Sequence, residues 1–241
     1  MQRGKLAGRM MRRIRSQEGF TLTELLIAMT AGMVILLAGF GLLETVLKRT
    51  GETQLRVEAT QRGRQALDVM TRQLRSQVCL NATTPAVAAA TPSSVTFYAD
   101  LSNGTGGPET RVEKRTLSYD PATRTIYETV LKPAGVATAI AYPGPAATRE
   151  LVRNVIPDPR GRPSIFRYYT FPPATAGSTT IREPSQELVN PDAATIGRIA
   201  RIDLAFAVTA GTNARSPLTL RDQVYVRAAN PNDPAPYPTC A

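Results

Sequence analysis

From Phe20 to Leu43 the chain is apolar almost without interruption, and its one charge, Glu24, lies near the start. A helix over those positions would run about 36 Å at about 1.5 Å per residue. That length crosses a bilayer core of about 30 Å. After Glu44 and Lys48 the pattern becomes amphipathic. Leu55, Ala59, Ala66, Leu67, Met70, Leu74 and Val78 recur at three- and four-residue steps, while Arg56, Arg62, Arg64, Arg72 and Arg75 fill other faces. The pattern predicts one long helix, its first half over residues 20–47 apolar enough for lipid and its second half a stem over 48–80. Gly32, Gly39 and Gly41 each weaken the first half by up to about 1 kcal/mol relative to alanine, and small residues also permit close helix packing. Residues 81–94 read as a linker, because Asn81-Ala82-Thr83-Thr84-Pro85 and the alanine-rich run to Pro92 lack helical patterning and contain breakers.

Beyond the linker the period changes to two. Val95–Ala99 reads as a strand, and Arg115–Tyr119 and Arg124–Val130 flank Asp120-Pro121-Ala122-Thr123 as a hairpin. Ile165–Tyr169, the alternating Ile202, Leu204, Phe206 and Val208, and Val224–Val226 supply further strands. The expected fold class is therefore α+β: a long amino-terminal helix on an antiparallel sheet head over residues 95–241.

Glu24 is energetically misplaced, since a carboxylate well inside a membrane helix costs roughly 2.5–3.5 kcal/mol even on the lenient insertion scale. A cut after Gly19 would create a cationic amine on Phe20, four residues earlier and within reach on one helix face or on a neighbouring copy. Gly19-Phe20-Thr21-Leu22-Thr23-Glu24-Leu25-Leu26 resembles the G-F-T-L-x-E-L-L signature of type IV prepilins and type II secretion pseudopilins. The resemblance implies that residues 1–19 are a basic leader removed by a membrane-embedded prepilin peptidase. It further implies that the same enzyme methylates the new Phe20 amine, and that Glu24 neutralises a neighbouring amine during assembly. The implied partners are that peptidase, other pilin or pseudopilin subunits, an inner-membrane assembly platform and the lipid bilayer. A head of this size behind an arginine-bearing stem looks most like the PilW-type minor pilins and J-type pseudopilins.

Other readings of the segment fit less of it. A conventional secretory signal has an apolar run of about 7–15 residues ending at a small-x-small site. An uncleaved signal anchor fits the length but leaves Gly19-Phe20 and Glu24 unexplained. Membrane acids often line transport pathways, yet one span offers no bundle for a pore. A buried soluble helix is usually shorter than this run.

Charge divides along the same boundary. Arg3, Lys5, Arg9, Arg12, Arg13 and Arg15 oppose Glu18, so the leader holds +5 of the formal +10 and the mature chain keeps +5. Cationic flanks stay cytoplasmic, which places the leader inside and the head outside the inner membrane. Cys79 and Cys240 are the only cysteines. On the exported side a bridge between them could persist, and closing so long a loop would stabilise by about 4–5 kcal/mol in the chain-entropy model. The alternative is two unpaired thiols.

Catalysis finds little support. Histidine is absent, which removes His-based triads, bases and metal ligands. The glycine group at Ser102–Pro108 lacks the Gly-Lys-Ser/Thr ending of a phosphate cradle. Asp203 and Asp222, with Asn230, Asn232 and Asp233, match no calcium-loop spacing and read as solvated strand ends. No metal or cofactor is expected. Two other function classes stay open: a head that captures DNA or adheres to a surface, with salt-sensitive nucleic-acid binding as its mark, and a signal-anchored extracytoplasmic enzyme.

Overall fold

The computed structural model describes residues 19–81, 84–101, 111–136, 139–158, 163–172, 183–210 and 217–226. The chain divides into two compact units, Met1–Thr53 and Gln54–Ala241. One helix, α1 (Leu22–Arg75), supplies the described regular structure of the first unit and enters the second. In the first unit its apolar side chains are exposed on every side, from Leu22 through Leu47. Its hydroxyls are satisfied locally: Thr30 Oγ1 donates to the Ile27 carbonyl at 2.9 Å, and Thr45 Oγ1 to the Gly41 carbonyl at 2.9 Å. Such back-bonding leaves no unpaired hydroxyl facing an apolar solvent.

The second unit joins the rest of α1 to antiparallel sheets. The first sheet has the order β1 (Val87–Thr91), β2 (Ser94–Asp100), β3 (Val112–Asp120), β4 (Thr125–Leu131) and β7 (Ala147–Val152), with a small hairpin of β5 (Ala134–Val136) and β6 (Ala139–Ala141) between β4 and β7 in sequence. The second sheet runs β10 (Gln186–Leu188), β9 (Phe166–Thr170), β11 (Arg201–Val208) and β12 (Leu218–Tyr225). A short strand, β8 (Val155–Pro157), shares with β9 the edge of β11 away from β12. The expected hairpin is β3–β4. Its turn is tied by Asp120, whose carboxylate accepts the Thr123 hydroxyl at 2.7 Å and the Ala122 N–H at 2.9 Å, and Arg124 closes it with φ 52°. Those bonds favour the ionised carboxylate and hold Asp120 below its ordinary pKa.

Two boundaries differ from the expected ones. The helix ends at Arg75, not near residue 80. Ser76 Oγ turns back to the Gln73 carbonyl at 2.7 Å, and the following backbone pairs with β2 through Val78 N–H to Tyr98 O at 3.0 Å. Val78 therefore follows strand pairing, although its spacing extends the helical pattern. The expected 81–94 linker contains β1, paired with β2 around Pro92-Ser93. Alanine is a weak strand former, but Ala86, Val87 and Ala90 are buried there, and neighbouring surface overrides propensity.

One continuous core joins the helix to both sheets. From α1 come Ala59, Ala66, Met70 and Leu74; the first sheet adds Val95, Phe97, Leu117 and Ile126, and the second Phe166, Ile202, Leu204, Phe206, Val208 and Leu220. Leu55, expected on the same stripe, is instead half exposed. Packing is tight at Gly63, where an added Cβ would stand 2.6 Å from Leu220 Cδ1 and 2.8 Å from Val208 Cγ2.

Some buried polar groups are paired across the same seams, whereas Gln77 and Thr170 bury side-chain polar atoms without a hydrogen-bond partner among the described residues. Glu128, fully buried on β4, accepts from Gln73 Nε2 on the helix at 2.5 Å, from Arg115 on β3 and from Arg149 on β7. Thr71 Oγ1 donates to Asp222 Oδ2 at 2.8 Å. The Tyr168 hydroxyl lies 2.8 Å from the Thr91 and Ser94 carbonyl oxygens, bridging the two sheets, and burial raises its pKa well above the ordinary phenol value.

Candidate processing and assembly site

The amino-terminal candidates sit where the chain becomes helical. Gly19, Phe20 and Thr21 are non-helical and exposed, and α1 begins at Leu22. Thr21 occupies the N-cap position. Its Oγ1 accepts the Glu24 N–H at 3.3 Å, while its carbonyl accepts the N–H groups of Glu24 and Leu25 at 3.1 Å each. The hydroxyl also lies 3.5 Å from Glu24 Oε2. Thr21-x-x-Glu24 thus has the spacing of a capping box, which satisfies otherwise orphaned N–H groups and places an acid on the first turn. The positive end of the helix dipole favours an anion there by roughly 0.3–1 kcal/mol at exposed sites.

Chemically, this arrangement leaves a carboxylate near the junction and an exposed, non-helical peptide before it. A bond outside the helix is accessible to a protease, whereas a helical one is held in its hydrogen-bond ladder. A Cβ added to Gly19 would meet nothing within 4 Å, so the fold itself imposes no glycine there. Phe20 is 79% exposed, and its ring packs into no part of the described chain. Glu24 shares the turn with Thr21 and has no cationic partner among the described residues. Thr21 as the cap was absent from the sequence expectations, although Thr-x-x-Glu was its signal.

The remaining candidates are scattered. Cys79 lies just beyond the helix end and is not a free thiol, whereas Cys240 is outside the described residues. Asp203 and Asp222 do not converge. Asp203 faces Gln223 and Asp222 faces Leu204 across the β11–β12 ladder, which places the two aspartates on opposite faces of the sheet. Asp203 lies 2.9 Å from Arg201, and burial raises its pKa despite that partner. Among the described residues no cluster of three His, Cys, Asp or Glu side chains is placed to hold a metal. Asn230, Asn232, Asp233 and the glycine group at Ser102–Pro108 lie outside the described residues.

Residues 14–40 match the family described as the prokaryotic N-terminal methylation motif. No curated protein matches the chain. Among solved structures, the chain is similar to a subunit of the GspK-GspI-GspJ complex from the type 2 secretion system of enterotoxigenic Escherichia coli. It is 9% identical over 70% of this chain and 97% of that one, with a TM-score of 0.38. The exposed Gly19-Phe20 junction, the acid on the first turn and the start of the apolar helix behind them all fall within the segment that matches the prokaryotic N-terminal methylation motif.

Proposed function

We propose that the chain is a minor pilin or pseudopilin, a structural subunit of a type IV pilus or type II secretion-like filament and not an enzyme. The observation that carries this reading is the junction: an exposed Gly19-Phe20 bond, a capped first turn holding Glu24, and then apolar side chains exposed around the helix. Prepilin peptidase would cut after Gly19 on the cytoplasmic side and methylate the Phe20 amine. The apolar segment would hold the subunit in the inner membrane, with the head outside, until an assembly platform moves it into the filament.

Lipid already solvates the apolar side chains, so the drive for transfer is close packing, interhelical contacts and charge neutralisation. Glu24 supplies the last of these by meeting the Phe20 amine of a neighbour. Before assembly the amine of the same chain is its nearest cation, and the two compete for one carboxylate.

Intact-mass analysis of the membrane fraction tests the reading. The mature species should begin at methylated Phe20, and Gly19→Leu should leave the precursor uncut with the head still folded. Native material that retains Met1–Glu18 in functioning filaments would overturn it.

A further inference from the structure

On the part of α1 that belongs to the head unit, arginine outnumbers acid. Between Gln54 and Arg75 there are five arginines, at 56, 62, 64, 72 and 75, against Glu58 and Asp68, a net +3. Over half of the mature chain's +5 is therefore on this one stretch. Two of the arginines are engaged along the helix, with Arg62 4.0 Å from Glu58 and Arg72 2.6 Å from Asp68. Among the described residues Arg56, Arg64 and Arg75 have no carboxylate partner.

Their placement is ordered. Arg64, Asp68, Arg72 and Arg75 follow at four-, four- and three-residue steps and so share one stripe. Gln61 and Gln65 lie beside it, and all six side chains are exposed. The opposite stripe, Ala59, Gly63, Ala66, Met70 and Leu74, is buried in the head. The basic side of the stem is thus open to a neighbour while the apolar side is not.

We propose that this stripe is an interaction surface for the acidic stem helix of a different pilin-type subunit. The inference rests on the filament reading above and adds the chemistry of the neighbour. A second copy fits poorly: its inner stripe is already covered by its own head, its exposed acids Glu58 and Asp68 already face Arg62 and Arg72, and the stretch it would offer carries the same net +3. An acidic stem supplies carboxylates to Arg64 and Arg75, about 16 Å apart along the axis. Arg–carboxylate pairs are directional and can be bidentate, which fixes register as well as attraction. The chain is on this account a joining subunit, placed beside unlike neighbours in the stack and unsuited to repeating itself.

A photo-crosslinking amino acid at Gln61 of the full chain, expressed in its own membrane, tests this. Adducts should map by peptide sequencing to an Asp- or Glu-bearing stem in a protein with its own prepilin signature. Arg64→Glu with Arg75→Glu should lower their yield about tenfold, Arg64→Lys with Arg75→Lys should largely retain it, and changing the mapped acid to lysine should restore contact with the reversed chain. Adducts only to a second copy, to lipid or to nucleic acid would overturn the proposal, as would no adduct or a yield indifferent to charge reversal. Intact mass of the same sample separates the two readings. A chain cut after Gly19 that gives no such adduct removes this inference alone, whereas an uncut chain removes the filament reading and this one with it.

Discussion

Replacing Gly63 with alanine puts the helix's own preference against its packing. In a free helix the exchange gains about 1 kcal/mol. Here the new methyl would stand 2.6 Å from Leu220 Cδ1 and 2.8 Å from Val208 Cγ2, where carbon atoms prefer about 3.5–4.0 Å. Leu220 can turn away in part, but Val208 is β-branched and stiff about χ1. Overpacking of this kind costs about 1–3 kcal/mol, and the stiff neighbour argues for the upper half. The expected net loss is about 1–2 kcal/mol, a fall in Tm of about 2–8 °C for a chain of this size. Thermal unfolding of the full chain in detergent, followed by circular dichroism, measures it. Leu220→Ala removes one clashing atom, so the double variant should lose less than the sum of the two single losses, with a coupling of about 0.5–3 kcal/mol. An unchanged or raised midpoint for Gly63→Ala, or additive losses, would refute the close-approach argument.

Glu128→Ala leaves Gln73 and one arm of Arg115 without their buried acceptor, Arg115 keeping Glu113, and should cost about 1–3 kcal/mol in urea unfolding, whereas Arg149→Ala, whose side chain is 61% exposed, should cost under about 1 kcal/mol. Equal losses would show that Glu128 does not act through its buried partner. Glu24→Ala should still be cut after Gly19 but should enter filaments poorly, read as the ratio of sheared-filament to membrane-bound protein; normal incorporation would remove the neutralising role. Peptide mapping without reductant should recover Cys79 joined to Cys240, and separate peptides carrying free thiols would exclude that bridge.

The elements readable from sequence are those whose own pattern matches their surroundings. β2, β4, β9, β11 and β12 each bury alternate residues over at least part of their length, β3 is readable from the Asp120–Thr123 turn that follows it, and α1 buries a helical stripe. β7 could not be seen this way, because Ala147–Glu150 are exposed on both faces and the strand exists through its pairing with β4. β1 was hidden by alanine, and the three-residue strands β8 and β10 are too short to show a period. Glycine at 63 looks like a weakness in a helix, although side chains of the second sheet fill the place its Cβ would take. Glu128 carries no local sign of burial, since its partners come from residues 73, 115 and 149. The Gly19–Glu24 junction was legible because its chemistry is confined to neighbouring positions. Cys79 and Cys240 could only be paired in principle, because distance in space is not written in spacing along a chain.

A rod that is greasy on every meridian offers a like rod many packed alignments and no charge to choose among them. Between Phe20 and Leu43 it bears a single carboxylate, on the first turn, and its threonines at 30 and 45 spend their hydroxyls on their own backbone. In the filament proposed above, neighbours would therefore find one rung along this segment at which to stop. Moving that acid a turn further along should shift the stagger between adjacent subunits by about 5.4 Å, a change in rise that an image of the fibre would show directly.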